Sequence, residues 1–216
     1  MNKLYAFGDS FTWGSELIDE VESKSTKYSQ YTWPALIAKN SNCEYICLAK
    51  PGSGNHSITR TFLDNFGNIS PTDTVVINWT WIDRWDFYNL QDSKWCTVRP
   101  SSNTTTIFDR YYYKYFQSEL WDKFESLKQI ALVHSILKKN NIRFIATSLD
   151  KLIFDTNFHA PKYVTILQDD IKQDIKYFDD LGFYHWAKRK KFKLGKNGHP
   201  LEEAHLLAYE YAKSNF

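Results

Sequence analysis

Leu4-Tyr5-Ala6-Phe7-Gly8-Asp9-Ser10 runs from an apolar stretch straight into a polar turn. An apolar run of this length that stops at Gly-Asp-Ser predicts a short buried strand delivering a turn at its carboxyl end. In parallel sheets that end is where ligands bind. The placement of Ser10 therefore depends on whether the rest of the chain builds such a sheet.

Reading outward, Trp33-Pro34-Ala35-Leu36-Ile37-Ala38 predicts a helix with Pro near its first turn, and Cys43 to Ala49 a second strand. Gly52-Ser53-Gly54-Asn55 breaks the chain before a helix of about ten residues from Ser57. Thr74-Val75-Val76-Ile77-Asn78-Trp79 is β-branched and uncharged, as the centre of a parallel sheet requires. Residues 84–118 are rich in Trp, Tyr, Ser, Asn and Thr without clear periodicity and read as an aromatic-rich insertion. Leu120, Phe124, Leu127, Ile130, Ala131, His134 and Leu137 recur at helical spacing within Glu119 to Lys139, and a strand follows from Arg143 to Ser148. Within 150–195 a helix is predicted from Asp169 to Phe178, and a last helix opens at Pro200 and runs to about Lys213. Strands alternating with helices predict one domain over 1–216, a three-layer α/β/α sandwich with a mainly parallel sheet. Ser10, Gly52, Thr80 and Asp150 all fall at the carboxyl ends of its strands.

The totals narrow the partners. With 216 residues, 43% hydrophobic and 24% charged, the chain has the composition of an ordinary globular domain. A formal charge of +2 and a short basic stretch from Lys188 to Lys196 argue against nucleic acid. Cys43, Cys47 and Cys96 have no metal-ligand spacing, and their odd number argues against a disulfide framework, which fits a reducing compartment. No apolar run approaches the roughly 20 residues of a spanning helix. The first strand begins at Lys3, leaving no room for a signal peptide, so synthesis as a soluble cytoplasmic chain is expected, with later incorporation in a virion left open. No oligomeric state is implied. The aromatic share of 17% exceeds what a core of this size needs and reads either as a large aromatic core with some exposed tips or as surface rings, which often stack on sugars or bases.

A Ser on the turn after a first strand can present its hydroxyl to a substrate and its own N–H to an oxyanion, although Asp and Ser also cap helices. His199, on the loop Gly198-His199-Pro200, can serve as general base or simply cap the terminal helix, while His205 and His134 suit helix packing. Asp169-Asp170 and Asp179-Asp180 lack a His or Cys nearby and read as solvated helix ends, so no metal and no cofactor are expected.

Taken in order, these segments resemble the sequence blocks of the SGNH/GDSL hydrolases. Phe7-Gly8-Asp9-Ser10-Phe11-Thr12-Trp13-Gly14 is similar to the family's first block and implies Ser10 as nucleophile. Cys47-Leu48-Ala49-Lys50-Pro51-Gly52-Ser53-Gly54-Asn55 resembles the second, implying Gly52, or alternatively Gly54, as an oxyanion N–H donor beside that of Ser10. His199-Pro200-Leu201-Glu202-Glu203-Ala204-His205 resembles the last and implies His199 as base. The resemblance also implies a five-stranded, flavodoxin-like sheet. Two departures stand out. In Asn78-Trp79-Thr80-Trp81-Ile82-Asp83, Ile82 occupies the position of the family's oxyanion Asn, so Thr80 or Asn78 would have to replace that donor. Lys196 stands where the family has the triad Asp, three residues before the catalytic His, which leaves a Ser10–His199 dyad or an acid from another strand end, Asp150 first.

The resulting expectation is a serine esterase cleaving small O-acyl esters, an acetylated carbohydrate being the natural class if Trp79, Trp81, Asn55, Trp85 and the Tyr111-Tyr112-Tyr113 run line the cleft, with a lipid or thioester substrate fitting the family resemblance equally well. The alternative is an SGNH-fold carbohydrate-binding or structural module, such as a phage-associated one, with weak or no catalysis.

Overall fold

In the computed structural model the described residues are 1–22, 27–100, 107–155 and 160–216. The portions of the 84–118 and 150–195 readings that fall at 101–106 and 156–159 lie outside them, as do residues 23–26. In chain order the elements are β1 (Lys3–Phe7), α1 (Ser10–Trp13), α2 (Ile18–Glu22), α3 (Trp33–Asn40), β2 (Glu44–Cys47), α4 (Asn55–Asn65) and β3 (Thr74–Trp79). Then come β4 (Trp85–Asn89), β5 (Lys94–Val98), α5 (Ile107–Tyr111), α6 (Glu119–Lys139), β6 (Arg143–Ser148), α7 (Lys162–Ile171), β7 (Ile175–Lys176), α8 (Phe183–Arg189) and α9 (Glu202–Asn215).

The main sheet has the order β2-β1-β3-β6-β7 and every pairing in it is parallel. β3 lies at its centre because Val75, Val76 and Ile77 are apolar on both faces and fully buried. Side chains alternate across the sheet. Tyr5, Phe7, Val75 and Ile77 point toward Phe62 of α4, Leu127 and Val133 of α6 and Val164 of α7. Leu4, Ala6 and Val76 point toward Trp33 of α3, Phe183 of α8 and Ala204 and Ala208 of α9. The three-layer architecture follows from this period of two. Since α3 covers one face and α4 the other, the chain reverses direction across the sheet between β1 and β3, and a crevice opens at their carboxyl ends.

Several boundaries differ from the sequence reading. The helix expected over Asp169–Phe178 is replaced by α7, which ends at Ile171, and by β7, which pairs with β6 through Ala146 and Ile175. Asp174 explains the early break: its carboxylate reaches back to His134 and Lys138 of α6, and the following residues run along the sheet edge. The aperiodic stretch after residue 84 contains an antiparallel hairpin of β4 and β5. Its rings pack on one another, Trp85 stacking on Tyr112 with centroids 4.7 Å apart. Among the described residues no helix is long and apolar enough to cross a membrane.

Candidate active site

Asp9 fixes the turn after β1. One carboxylate oxygen accepts the Phe11 N–H at 3.0 Å, capping α1, and the other accepts the Thr80 hydroxyl and an Arg84 N–H, both at 2.9 Å. With Asp9 wholly buried and held from three sides, Ser10 is locked as the first residue of α1.

The Ser10 Oγ lies 2.9 Å from His199 Nε2, and His199 Nδ1 lies 2.7 Å from Glu16 Oε2. A neutral imidazole in this position donates from Nδ1 to the carboxylate and accepts at Nε2 from the hydroxyl. Glu16, His199 and Ser10 thus form one hydrogen-bonded chain. The carboxylate that meets His199 Nδ1 is that of Glu16, on the turn immediately after α1, whereas the Asp150 carboxylate accepts from the Leu152 N–H.

Glu16 is held by its backbone and by its neighbours. Its φ of 71° is left-handed, a conformation uncommon outside glycine and concentrated at functional sites. Its carboxylate also accepts the Asn197 N–H at 2.9 and 3.0 Å. Burial pushes the Glu16 carboxyl up, but the hydrogen bonds from His199 and Asn197 outweigh it and hold the pKa below the ordinary value. Gly195 lets the carboxylate approach the His199 loop, because a Cβ there would come within 2.6 Å of Glu16 Cδ. That loop closes on itself through Gly195 N–H to His199 O at 2.8 Å, and Phe11 packs under the imidazole with ring centroids 5.1 Å apart.

Ser10, Glu16 and His199 open on a cleft of about 680 Å³ shared with Gly52, Trp81, Arg84, Arg99 and Tyr184. Gly52 adopts a left-handed φ of 82°, and among the described residues neither its N–H nor that of Ser10 has an acceptor. Both N–H groups are therefore available to an anion. Gly54, the alternative donor, is not among the residues lining this cleft.

Other expected site residues lie elsewhere. Thr80 spends its hydroxyl on Asp9 and its N–H on Asn55 Oδ1, so it is not presented to Ser10. Asn78 is wholly buried and accepts from the Thr147 hydroxyl. Asn55 braces the turn after β3, its amide donating to Thr80 O and Ser126 Oγ. Trp79 is a core residue whose indole N–H donates to His134 Nε2 at 3.3 Å, whereas Trp81 does line the cleft. Asp150 is buried, accepts the Leu152 N–H, and is pushed up to about 6 by burial, partly opposed by that hydrogen bond. His205 is buried and accepts the Trp33 N–H. Lys196 is exposed. Among the described residues no cluster of His, Cys, Asp and Glu has metal-binding geometry.

Beyond the expected set, the structure adds Glu16, Arg84, Arg99 and Tyr184 to the cleft. None of the four carries a local sequence signal that marks it as part of the site.

No protein-family model and no curated protein matches the sequence. Solved structures do match. An acetyl xylan esterase from the rumen bacterium Butyrivibrio proteoclasticus superposes with a TM-score of 0.55 at 13% identity, over 99% of this chain and 63% of its own. This chain therefore spans less than two thirds of that esterase. Phospholipase A1 from Streptomyces albidoflavus gives 0.54 at 13% identity, over 100% and 99% of the two chains. The acetyl xylan esterase AlAXEase gives 0.52 at 13% identity, over 98% of each. At such identities the likeness establishes a shared fold.

Proposed function

The chain has the SGNH hydrolase fold, and on that premise we propose that it is a serine esterase acting on small O-acyl esters through Ser10, His199 and Glu16. The observation that carries this reading is the continuous hydrogen-bonded chain from Ser10 Oγ through both ring nitrogens of His199 to Glu16. Ser10 Oγ attacks the acyl carbon while His199 Nε2 takes its proton. Glu16 holds the ring in the required tautomer and balances the imidazolium. The oxyanion is held by the N–H groups of Ser10 and Gly52, with Arg84 and Arg99 adding positive potential in place of the side-chain donor absent at Ile82. His199 then returns the proton to the leaving alkoxide, and water repeats the sequence on the acyl-enzyme.

An acetylated carbohydrate is the favoured substrate, since Trp81 and Tyr184 offer ring faces in the cleft and the superposed xylan esterases act on such esters. The second reading, a binding or structural module on the same fold, is favoured by Ile82, a buried apolar side chain at the family's oxyanion Asn position. Hydrolysis of p-nitrophenyl acetate and labelling by a fluorophosphonate, both abolished in Ser10→Ala, support the esterase. A wild type that neither labels nor hydrolyses above the mutant supports the module.

A further inference from the structure

The cleft over Ser10 continues past Gly52. Pro51, Gly52 and Arg99 also border a hollow of about 410 Å³ whose other walls carry Lys50, Arg60, Asp86 and Trp95. Lys50, Arg60 and Arg99 there face the single carboxylate of Asp86. That carboxylate is already matched within the protein: one oxygen accepts the Ser57 N–H at 2.8 Å in the first turn of α4 and the other accepts the Thr97 hydroxyl. Among the described residues none of the three cations takes part in an ion pair.

Arg60 is held in place at the wall of the hollow. Its guanidinium lies over the Trp95 ring, 4.1 Å from the centroid, which fixes the plane of the fork. Nη2 donates to Ser57 Oγ at 3.4 Å. With no carboxylate paired to it among the described residues, the guanidinium offers its charge to an oxyanion entering the hollow. Arg99 approaches from the other side, its Nη1 so close over Gly52 that a Cβ there would lie 2.7 Å away. Glu16 and Glu20 also line the Ser10 cleft but not this hollow.

We propose that Lys50, Arg60 and Arg99 form a subsite for an anionic group, a carboxylate or a phosphate, carried by the ester substrate beside its scissile acyl group. Guanidinium forks pair with both oxyacids through two parallel hydrogen bonds. The proposal rests on the esterase reading and narrows it to charged esters.

The test compares kcat/KM for a mono-acetylated methyl glucoside, the matching methyl glucuronide and the matching glucoside 6-phosphate. The wild type should prefer at least one charged ester by about 10-fold or more, the strength of a charge-assisted contact, and the better one identifies the oxyacid. Raising the ionic strength from about 0.01 M to about 1 M shrinks the screening length from roughly 30 Å to roughly 3 Å and should erase most of that preference. Arg60→Gln should lower the charged-to-neutral ratio and Arg60→Lys should restore part of it. Equal kcat/KM for all three esters, or a preference that survives both salt and Arg60→Gln, overturns the subsite while leaving the esterase intact. No fluorophosphonate labelling and no turnover of any ester overturns the esterase, and the subsite with it.

Discussion

Glu16 Oε2 lies 2.7 Å from His199 Nδ1, although 183 residues separate them in the chain. The carboxylate orients the imidazole from the side opposite Ser10, which is the work of a triad acid. Glu16→Ala should therefore lower kcat for p-nitrophenyl acetate by about 1,000- to 10,000-fold, as removal of such an acid does elsewhere. Asp150→Asn, on a side chain bonded to Leu152 N–H, should leave kcat within a few-fold. Steady-state kinetics of the two variants decide between the carboxylates, and a larger loss from Asp150→Asn would remove Glu16 from the role.

Gly195 offers a gentler test of the same contact. A Cβ at this position would meet Glu16 Cδ at 2.6 Å and its Oε2 at 2.7 Å. The clashing atoms are the far end of a flexible side chain, so the backbone need not move. Gly195→Ala should thus displace the carboxylate from His199 and lower kcat by about 10- to 100-fold, because small misplacements of catalytic groups are costly, while the melting temperature stays close to wild type. A fall in melting temperature with kcat unchanged would mean that the loop, and not Glu16, absorbs the methyl group.

How far the site was legible follows from what each residue depends on. Thr74–Trp79 and Arg143–Ser148 are readable because continuous apolar strands are a local pattern. The hairpin of β4 and β5 is not, since rings and polar groups occupy both of its faces and stack on partners distant in sequence. β7 is too short to carry a period, and its place is set by the β6 edge. Ser10 and Gly52 follow strand ends and His199 precedes Pro200, where chain grammar and a family resemblance both point. Glu16 depends on a left-handed residue meeting a loop near the far end of the chain, and no neighbouring residue announces that. Arg84 reaches the cleft by bridging Asp9 Oδ2 and Ser53 O from the turn before β4, a tertiary contact that no short block of sequence announces.

Arg84 also carries a stability prediction. Its Nη1 meets Asp9 Oδ2 at 2.9 Å, with side-chain exposures of 10% and 0%. Removing the cation leaves a fully buried carboxylate compensated only by Thr80 and the Phe11 N–H. Arg84→Ala should cost about 3–5 kcal/mol in urea unfolding, the range for breaking one side of a buried pair. Adding Asp9→Asn, which keeps the cap on Phe11 but removes the charge, should recover part of the loss. A double variant no more stable than Arg84→Ala would show that the loss arises from packing against Trp81, over which the guanidinium lies at 4.7 Å.

The buried histidines set how stability changes with pH. Burial pushes His134 down to about 4 and His205 down to about 3, from an ordinary value of 6.5. Below pH 6.5 the unfolded chain binds protons at both positions that the folded chain refuses, so stability falls as the pH falls. At pH 5 each contributes a loss of about 2 kcal/mol. Asp150 acts with the opposite sign: burial raises it to about 6, so the folded state takes up a proton there that the unfolded state does not, returning about 1 kcal/mol between pH 6 and pH 5. The two histidines outweigh Asp150, and the net loss from these three groups between pH 7.5 and pH 5 should be about 3 kcal/mol. Glu16, held below its ordinary value, acts in the same direction as the histidines, since the unfolded chain takes up a proton there more readily than the folded one. Urea midpoints at the two pH values measure the difference, and His205→Gln, able to accept from the Trp33 N–H in its place, should remove roughly half of the histidine share. A midpoint that rises on acidification would mean that Asp150 dominates and that the histidines are protonated in the folded state.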